Sequence, residues 1–326
     1  MTKVNKISVM LIAAIAAASI LSCTKEENAA TGNHAIGFRS NDVWTKAMVS
    51  GEDGLKNGGF HVYAQGTFDG TGRTYRFDRH VTFTDGGWNY KNLEYWLPTC
   101  SYVFRAYYPA DLTVSETGDA IQGFELESQY GNQSDVLMAT ASKKTSEIKN
   151  EEDKTVKLTF MHLLTRLDVK LRVEESDVDE DEDGKNDPKI KALVKAVAFR
   201  GVAQKADYNS VEGWKNLSGA IAIGGNITEE LNTTGVSMFE NGLLAIPQNV
   251  DSDVTLFILT DITLPNGNVI EKQFDLKLPA SNWTAGSSYI YTALLSENFN
   301  ITFNEPKVES WGDEQMDGVD GIVIIK

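Results

Sequence analysis

The sequence predicts an all-β protein built of β-sandwiches, on three observations. No long helical period follows the first two dozen residues. Apolar and polar residues instead alternate in many short runs rich in β-branched and aromatic side chains. Gly, Asn and Asp break those runs at intervals typical of strands joined by turns. The chain has 326 residues, 41% of them hydrophobic, enough for two ordinary domains with separate cores. Its formal net charge is -16, from 46 acidic and 30 basic residues. That balance repels phosphate backbones, so nucleic acid is not an expected partner.

Taken in order, the N-terminus comes first. Lys3 and Lys6 precede an apolar run over residues 9–21. The run is shorter than the roughly 20 residues that span a bilayer, which favours a cleaved signal over a permanent anchor. It ends in Ile20-Leu21-Ser22-Cys23, which resembles a bacterial lipobox. Residues 1–22 are then a lipoprotein signal peptide, and Cys23 is the acylated residue that holds the protein in the outer-membrane lipid. The following Thr24-Lys25-Glu26-Glu27 is similar to the export signal of some surface lipoproteins. The remaining cysteine, Cys100, has no intramolecular disulfide partner once Cys23 is acylated, so stability must come from core burial.

The strand signals follow. Phe60-His61-Val62-Tyr63-Ala64 alternates. Val81-Thr82-Phe83-Thr84, Asp85-Gly86-Gly87 and Trp88-Asn89-Tyr90 make a hairpin signature. A strand over 102–108 stops at Pro109, and a long strand-like stretch covers 156–173. Further strands are expected over 192–200, 254–260, 274–278, 288–295, 301–303 and 322–325. Residues 174–187 are predominantly acidic and read as a solvated hairpin loop.

Candidate chemistry is sparse. In the acidic loop Asp179, Asp181, Asp183 and Gly184 match the first half of a calcium loop. The position of the bidentate Glu is Ile190, so a solvated loop explains the segment better than a metal site. His34, His61, His80 and His162 form no ligand pair, and His61 and His162 sit inside strand patterns. Neither a nucleophile elbow nor a phosphate loop is present. The chain is therefore expected not to be an enzyme, and no cofactor is expected. Trp88, Tyr90, Tyr95, Trp96, Tyr107 and Tyr108 are a candidate glycan platform, though their alternation favours core packing.

Several motifs share an order. They are Tyr95-Trp96, Tyr102-Val103-Phe104-Arg105-Ala106-Tyr107-Tyr108-Pro109, Gln133-Ser134-Asp135-Val136-Leu137-Met138-Ala139 and Leu158-Thr159-Phe160-Met161-His162-Leu163-Leu164-Thr165-Arg166-Leu167-Asp168-Val169. Trp283-Thr284-Ala285-Gly286, Tyr289-Ile290-Tyr291, Ile301-Thr302-Phe303 and Val308-Glu309-Ser310-Trp311 complete the series. Behind a lipoprotein signal, this set resembles the fimbrillin family of type V pili. The resemblance implies two consecutive transthyretin-like β-sandwiches, over 47–156 and 157–326, behind a propeptide (23–46) that carries a removable first strand beginning at Ile36-Gly37-Phe38. It also implies a structural or accessory (tip or anchor) pilus subunit at the cell surface. Its partners would be other pilins, joined by strand exchange, and a host or bacterial surface receptor. The implied cut lies between Lys46 and Ala47, with Lys where Arg is commoner in the family. Ile322, Val323, Ile324 and Ile325 suit the donor or closing strand. The alternative is a lipid-anchored surface glycan-binding protein.

Overall fold

The computed structural model describes residues 34–41, 51–176, 188–251, 253–264 and 266–311. The described chain is almost entirely β. The first half contains β1 (Gly37–Asn41), the short helix α1 (Gly51–Gly58), β2 (Phe60–Phe68), β3 (Thr74–Thr84), β4 (Gly87–Asn89), β5 (Cys100–Tyr108), β6 (Ala120–Glu125), β7 (Leu137–Lys144), β8 (Thr155–Thr159) and β9 (Met161–His162). Strands β4-β3-β2-β5-β7-β9 form one sheet in that order. Strand alternation sends Phe60 and Val62 of β2, Phe77 and Val81 of β3, Tyr102 and Phe104 of β5, and Leu137 and Ala139 of β7 into one core. The other side of that core is a separate two-stranded ladder of β1 and β8, which supplies Phe38, Val156 and Leu158. Helix α1 closes it with the fully buried Leu55.

The hairpin expected at 81–90 is present as β3–β4. Asp85 and Gly86 both take positive φ, 53° and 77°, so that a two-residue turn matches the twist of its strands. Helix α1 was not foreseen: with eight residues and three glycines it carries almost no helical signal.

The second half contains β10 (Thr165–Val173), β11 (Lys191–Asn209), β12 (Gly213–Glu230), β13 (Val236–Ser237), β14 (Leu243–Ala245), β15 (Asn249–Val250), β16 (Thr255–Thr263), β17 (Val269–Lys277), β18 (Ser281–Asn282), β19 (Ser287–Leu295), β20 (Ile301–Phe303) and β21 (Lys307–Ser310). Strand β10 pairs with β19 in parallel. Strands β13 and β14 flank β10, and β20 and β21 flank β19. The second sheet runs β12-β11-β16-β17. Leu167, Val169 and Leu171 of β10, Tyr291 of β19, Val197 and Phe199 of β11 and Ile258 of β16 share one buried cluster, a sandwich core.

Three differences from the sequence expectation have physical causes. The stretch over 156–173 is three strands, not one, because the chain leaves the first core at Phe160 and enters the second at Leu163. Val156, Leu158 and Phe160 pack in the first core, so the change of core falls a few residues past residue 156. Strand β11 is 19 residues long, about twice the expected run. Its alternation is interrupted by register shifts between Val194 and Ala196, Phe199 and Val202, and Lys205 and Asp207, which hide the strand from a period-2 reading. Gly201 sits at the middle shift with φ 76°, where a Cβ would lie 2.1 Å from the Asp253 carbonyl oxygen. Strand β12 was missed altogether. Its side chains are mostly exposed on both faces, so no alternation was required of them.

The halves are joined by more than a linker. Strand β6 precedes the first half's last strands in sequence but pairs antiparallel with the far end of β11. Buried Gln133 donates to the Leu244 carbonyl and accepts from the Leu244 amide, at 2.9 and 2.8 Å. Tyr107 of β5, Val136 and Met138 all belong to the second core.

Candidate assembly groove

Strand β1 is held along one edge only by a regular ladder. It runs parallel to β8, with Gly37 opposite Thr155, Phe38 opposite Val156 and Ser40 opposite Leu158. Gly37 permits this approach, since a Cβ there would meet Thr155 Oγ1 at 3.0 Å. Just ahead of β1 the chain is tied to another segment. The Ile36 amide donates to the Glu94 carbonyl at 2.8 Å, and the Trp96 amide donates to the His34 carbonyl at 2.9 Å. The Tyr90 hydroxyl donates to the Ile36 carbonyl at 2.7 Å.

The side chains of this segment fill a slot. Ile36 is 1% exposed and Phe38 5%. The Phe38 ring centroid lies 5.5 Å from Tyr90 and 5.9 Å from Phe104. Trp96 packs edge-on to Phe104 at 5.7 Å and donates from Nε1 to the Lys154 carbonyl at 3.1 Å. The slot is therefore a strip of apolar floor bounded by two peptide edges, one on β8 and one at residues 94–96. Such a strip takes an extended segment with alternating apolar side chains.

Glu94 organises the second edge and carries no sequence signal. It is 7% exposed, forms an ion pair with Arg79, and accepts from the Tyr75 hydroxyl at 2.6 Å. That hydrogen bond, then burial, raises the Tyr75 pKa. Burial likewise raises the Tyr90 phenol.

A second polar cluster lies where the halves meet. His162 Nδ1 and Asp135 Oδ2 are 2.5 Å apart, and both side chains are buried. Desolvation pushes the Asp135 carboxyl up, opposed by its hydrogen bond and charge interaction with His162. The His162 ring stacks on Trp311 with centroids 3.8 Å apart. Asp135, His162 and Trp311 each stand in one of the ordered motifs of the sequence, but nothing there shows that they meet.

The predicted glycan aromatics are core or half-buried residues. Trp96 and Tyr107 are fully buried, and Trp88, Tyr90, Tyr95 and Tyr108 are half-buried. Among the described residues no group of His, Cys, Asp and Glu could hold a metal ion. Cys100 is free and buried, and burial raises its thiol pKa. Cys23, Lys46, Ala47, the aspartates Asp179, Asp181 and Asp183, and Ile322, Val323, Ile324 and Ile325 lie outside the described residues.

A model of the fimbrillin-like family matches residues 45–311. The chain belongs to the fimbrillin-like family. As a member, it is a pilus-related adhesion subunit. Among solved structures, this fimbrillin-like chain is similar to a fimbrial protein from Bacteroides vulgatus, with 20% identity over 86% of this chain and 100% of that one and a TM-score of 0.65. It is more distantly similar to a protein described as a cell adhesion protein from Bacteroides uniformis, at 19% identity over 86% and 98% of the two chains and a TM-score of 0.46. It also resembles the tip fimbrial protein Mfa3 from Porphyromonas gingivalis, at 10% identity over 79% and 96% and a TM-score of 0.40. None of the curated proteins matches. No helix among the described residues is long and apolar enough to cross a membrane.

Proposed function

We propose that this chain is a type V-like pilus subunit, stalk or accessory, made as a surface lipoprotein and assembled by proteolysis-triggered strand exchange. In this reading each half is a transthyretin-like sandwich. Cys23 is acylated and carries the precursor to the outer surface. Cleavage between Lys46 and Ala47 then releases the segment that contains β1, and a strand with Ile322, Val323, Ile324 and Ile325 from another subunit takes its place.

The observation that carries the proposal is the way β1 is held. Its segment supplies two buried apolar side chains, Ile36 just ahead of the strand and Phe38 within it, yet β1 belongs to none of the three large sheets. Losing it uncovers Val156, Leu158, Trp96 and Phe104 and leaves the β8 edge unpaired, an invitation to strand addition. Burying each large aliphatic or aromatic side chain again is worth roughly 1.5–3 kcal/mol. Two refilled pockets and a backbone ladder both favour association.

The test is limited trypsin digestion of purified precursor, followed by N-terminal sequencing and electrophoresis without boiling. Release of the segment ending at Lys46 with new ladders of multimers is the expected result. Cleavage without ladders under any condition would exclude a stalk subunit. Identical ladders after deletion of residues 321–326 would exclude the C-terminal strand as donor.

A further inference from the structure

A cleft of about 610 Å³ opens beside the junction of the two halves, away from the β1 slot. Such a volume is in the range of small-molecule sites. One wall is apolar: Met161, Trp214 and Leu217, with Met161 59% and Leu217 38% exposed. The lining also includes the carboxamide residues Gln248, Asn249 and Asn282, of which Gln248 already accepts from the Ala203 amide through Oε1 at 2.8 Å. None of the fifteen lining residues is Asp, Glu, Lys or Arg, in a chain whose net charge is -16.

The apolar wall is a fixed platform. The Trp214 indole donates from Nε1 to the Leu163 carbonyl at 2.6 Å. Its ring is packed 5.2 Å from Phe124 and 5.3 Å from Tyr208, centroid to centroid. A half-buried ring locked in this way offers a ready apolar face at little entropic cost. The carboxamide part of the lining is equally specific. Asn249 and Asn282 are cross-strand partners of β15 and β18, and the Trp283 amide donates to the Gln248 carbonyl at 2.9 Å. The two segments of this part of the lining are thus held to each other by backbone pairing. Both Asn side chains are exposed, and neither makes a hydrogen bond to any described residue.

We infer that the cleft binds a neutral saccharide. A pyranose has one face of C–H groups, which suits Trp214 and Met161, and a rim of hydroxyls that both donate and accept. Carboxamides do the same, so the Asn249 and Asn282 amides can each match a vicinal hydroxyl pair. The one ionisable side chain of the lining, His162, is paired with buried Asp135, so a charged ligand would have to leave its hydration with no counter-charge of its own. The inference does not depend on strand exchange, because the cleft is formed in the uncleaved chain.

The experiment is titration of the intact chain with lactose, maltose and cellobiose, read by tryptophan fluorescence and saturation-transfer NMR, with 3′-sialyllactose as the charged comparison. At least one neutral disaccharide should give a saturable signal and transfer magnetisation to its ring C–H protons. Asn249→Ala/Asn282→Ala removes only exposed side chains and should weaken that binding about tenfold, the loss of one or two neutral hydrogen bonds. Trp214→Ala should abolish it, provided circular dichroism shows the fold intact. No saturable response to any of the three sugars overturns the inference. So does binding unaffected by the double Asn variant, or preference for 3′-sialyllactose. A synthetic peptide of residues 319–326 that occupies the cleft while the sugars do not would make it a peptide site instead.

Discussion

His162 is small, yet its replacement should be among the costliest in the protein. Asp135 is fully buried, and His162 is its side-chain partner. His162→Phe keeps a ring against Trp311 but leaves the carboxylate unpaired, which should cost about 3 kcal/mol near neutral pH. The pH dependence has a definite sign. Burial raises the folded-state pKa of Asp135 above its unfolded value of about 3.9, so the folded state binds the proton more tightly. The variant should therefore regain stability as pH falls through the folded pKa of Asp135 toward the unfolded one. Urea unfolding at several pH values reads this directly, and a constant deficit across that range would contradict it. Two glycines make a second test at this scale. Gly86 and Gly201 have nearly equal φ, 77° and 76°, but the Cβ site is open at Gly86 and blocked by the Asp253 carbonyl at Gly201. Gly86→Ala should cost about 1 kcal/mol, the price of the left-handed conformation alone. Gly201→Ala should cost clearly more, because backbone must move.

Among the elements, β1 and β12 show what a sequence can and cannot convey. Strands β2, β5, β16 and β19 each bury one face, so their alternation is dictated by the core and legible. Strand β1 spans five residues and is seen through its family motif rather than its pattern. Strand β12 buries almost nothing and leaves no pattern to read. The groove was legible in part for the same reason. Ile36 and Phe38 stand out as apolar residues, while Glu94, which shapes the opposite edge, acts through its backbone and through partners distant in sequence. A prediction follows for the segment that carries β1. Ile36→Ala should destabilise the precursor by about 3 kcal/mol, as expected for a fully buried aliphatic residue. If the segment is released by cleavage after Lys46, the same substitution should leave the processed chain unchanged. Denaturant midpoints of both forms decide the matter, and an equal effect in the two would mean that the segment stays bound.

At the scale of the whole molecule, attachment and architecture are separate problems. The proposed lipid anchor rests on one side chain, so Cys23→Ala should move the protein from the membrane fraction to the soluble one without altering its melting temperature. Fatty-acid labelling retained by that variant would refute acylation at Cys23. The body of the molecule is bound together differently. Strand β6 comes from the first half of the chain but lies in a sheet of the second, and Gln133 bridges the halves through paired hydrogen bonds. A fibre is pulled, and beads on flexible strings lengthen by swinging apart before any bead is strained. Here the β6–β11 ladder must rupture before the halves can part. Under tension each subunit should behave as one stiff link rather than two hinged ones, with extension appearing at the joints between subunits.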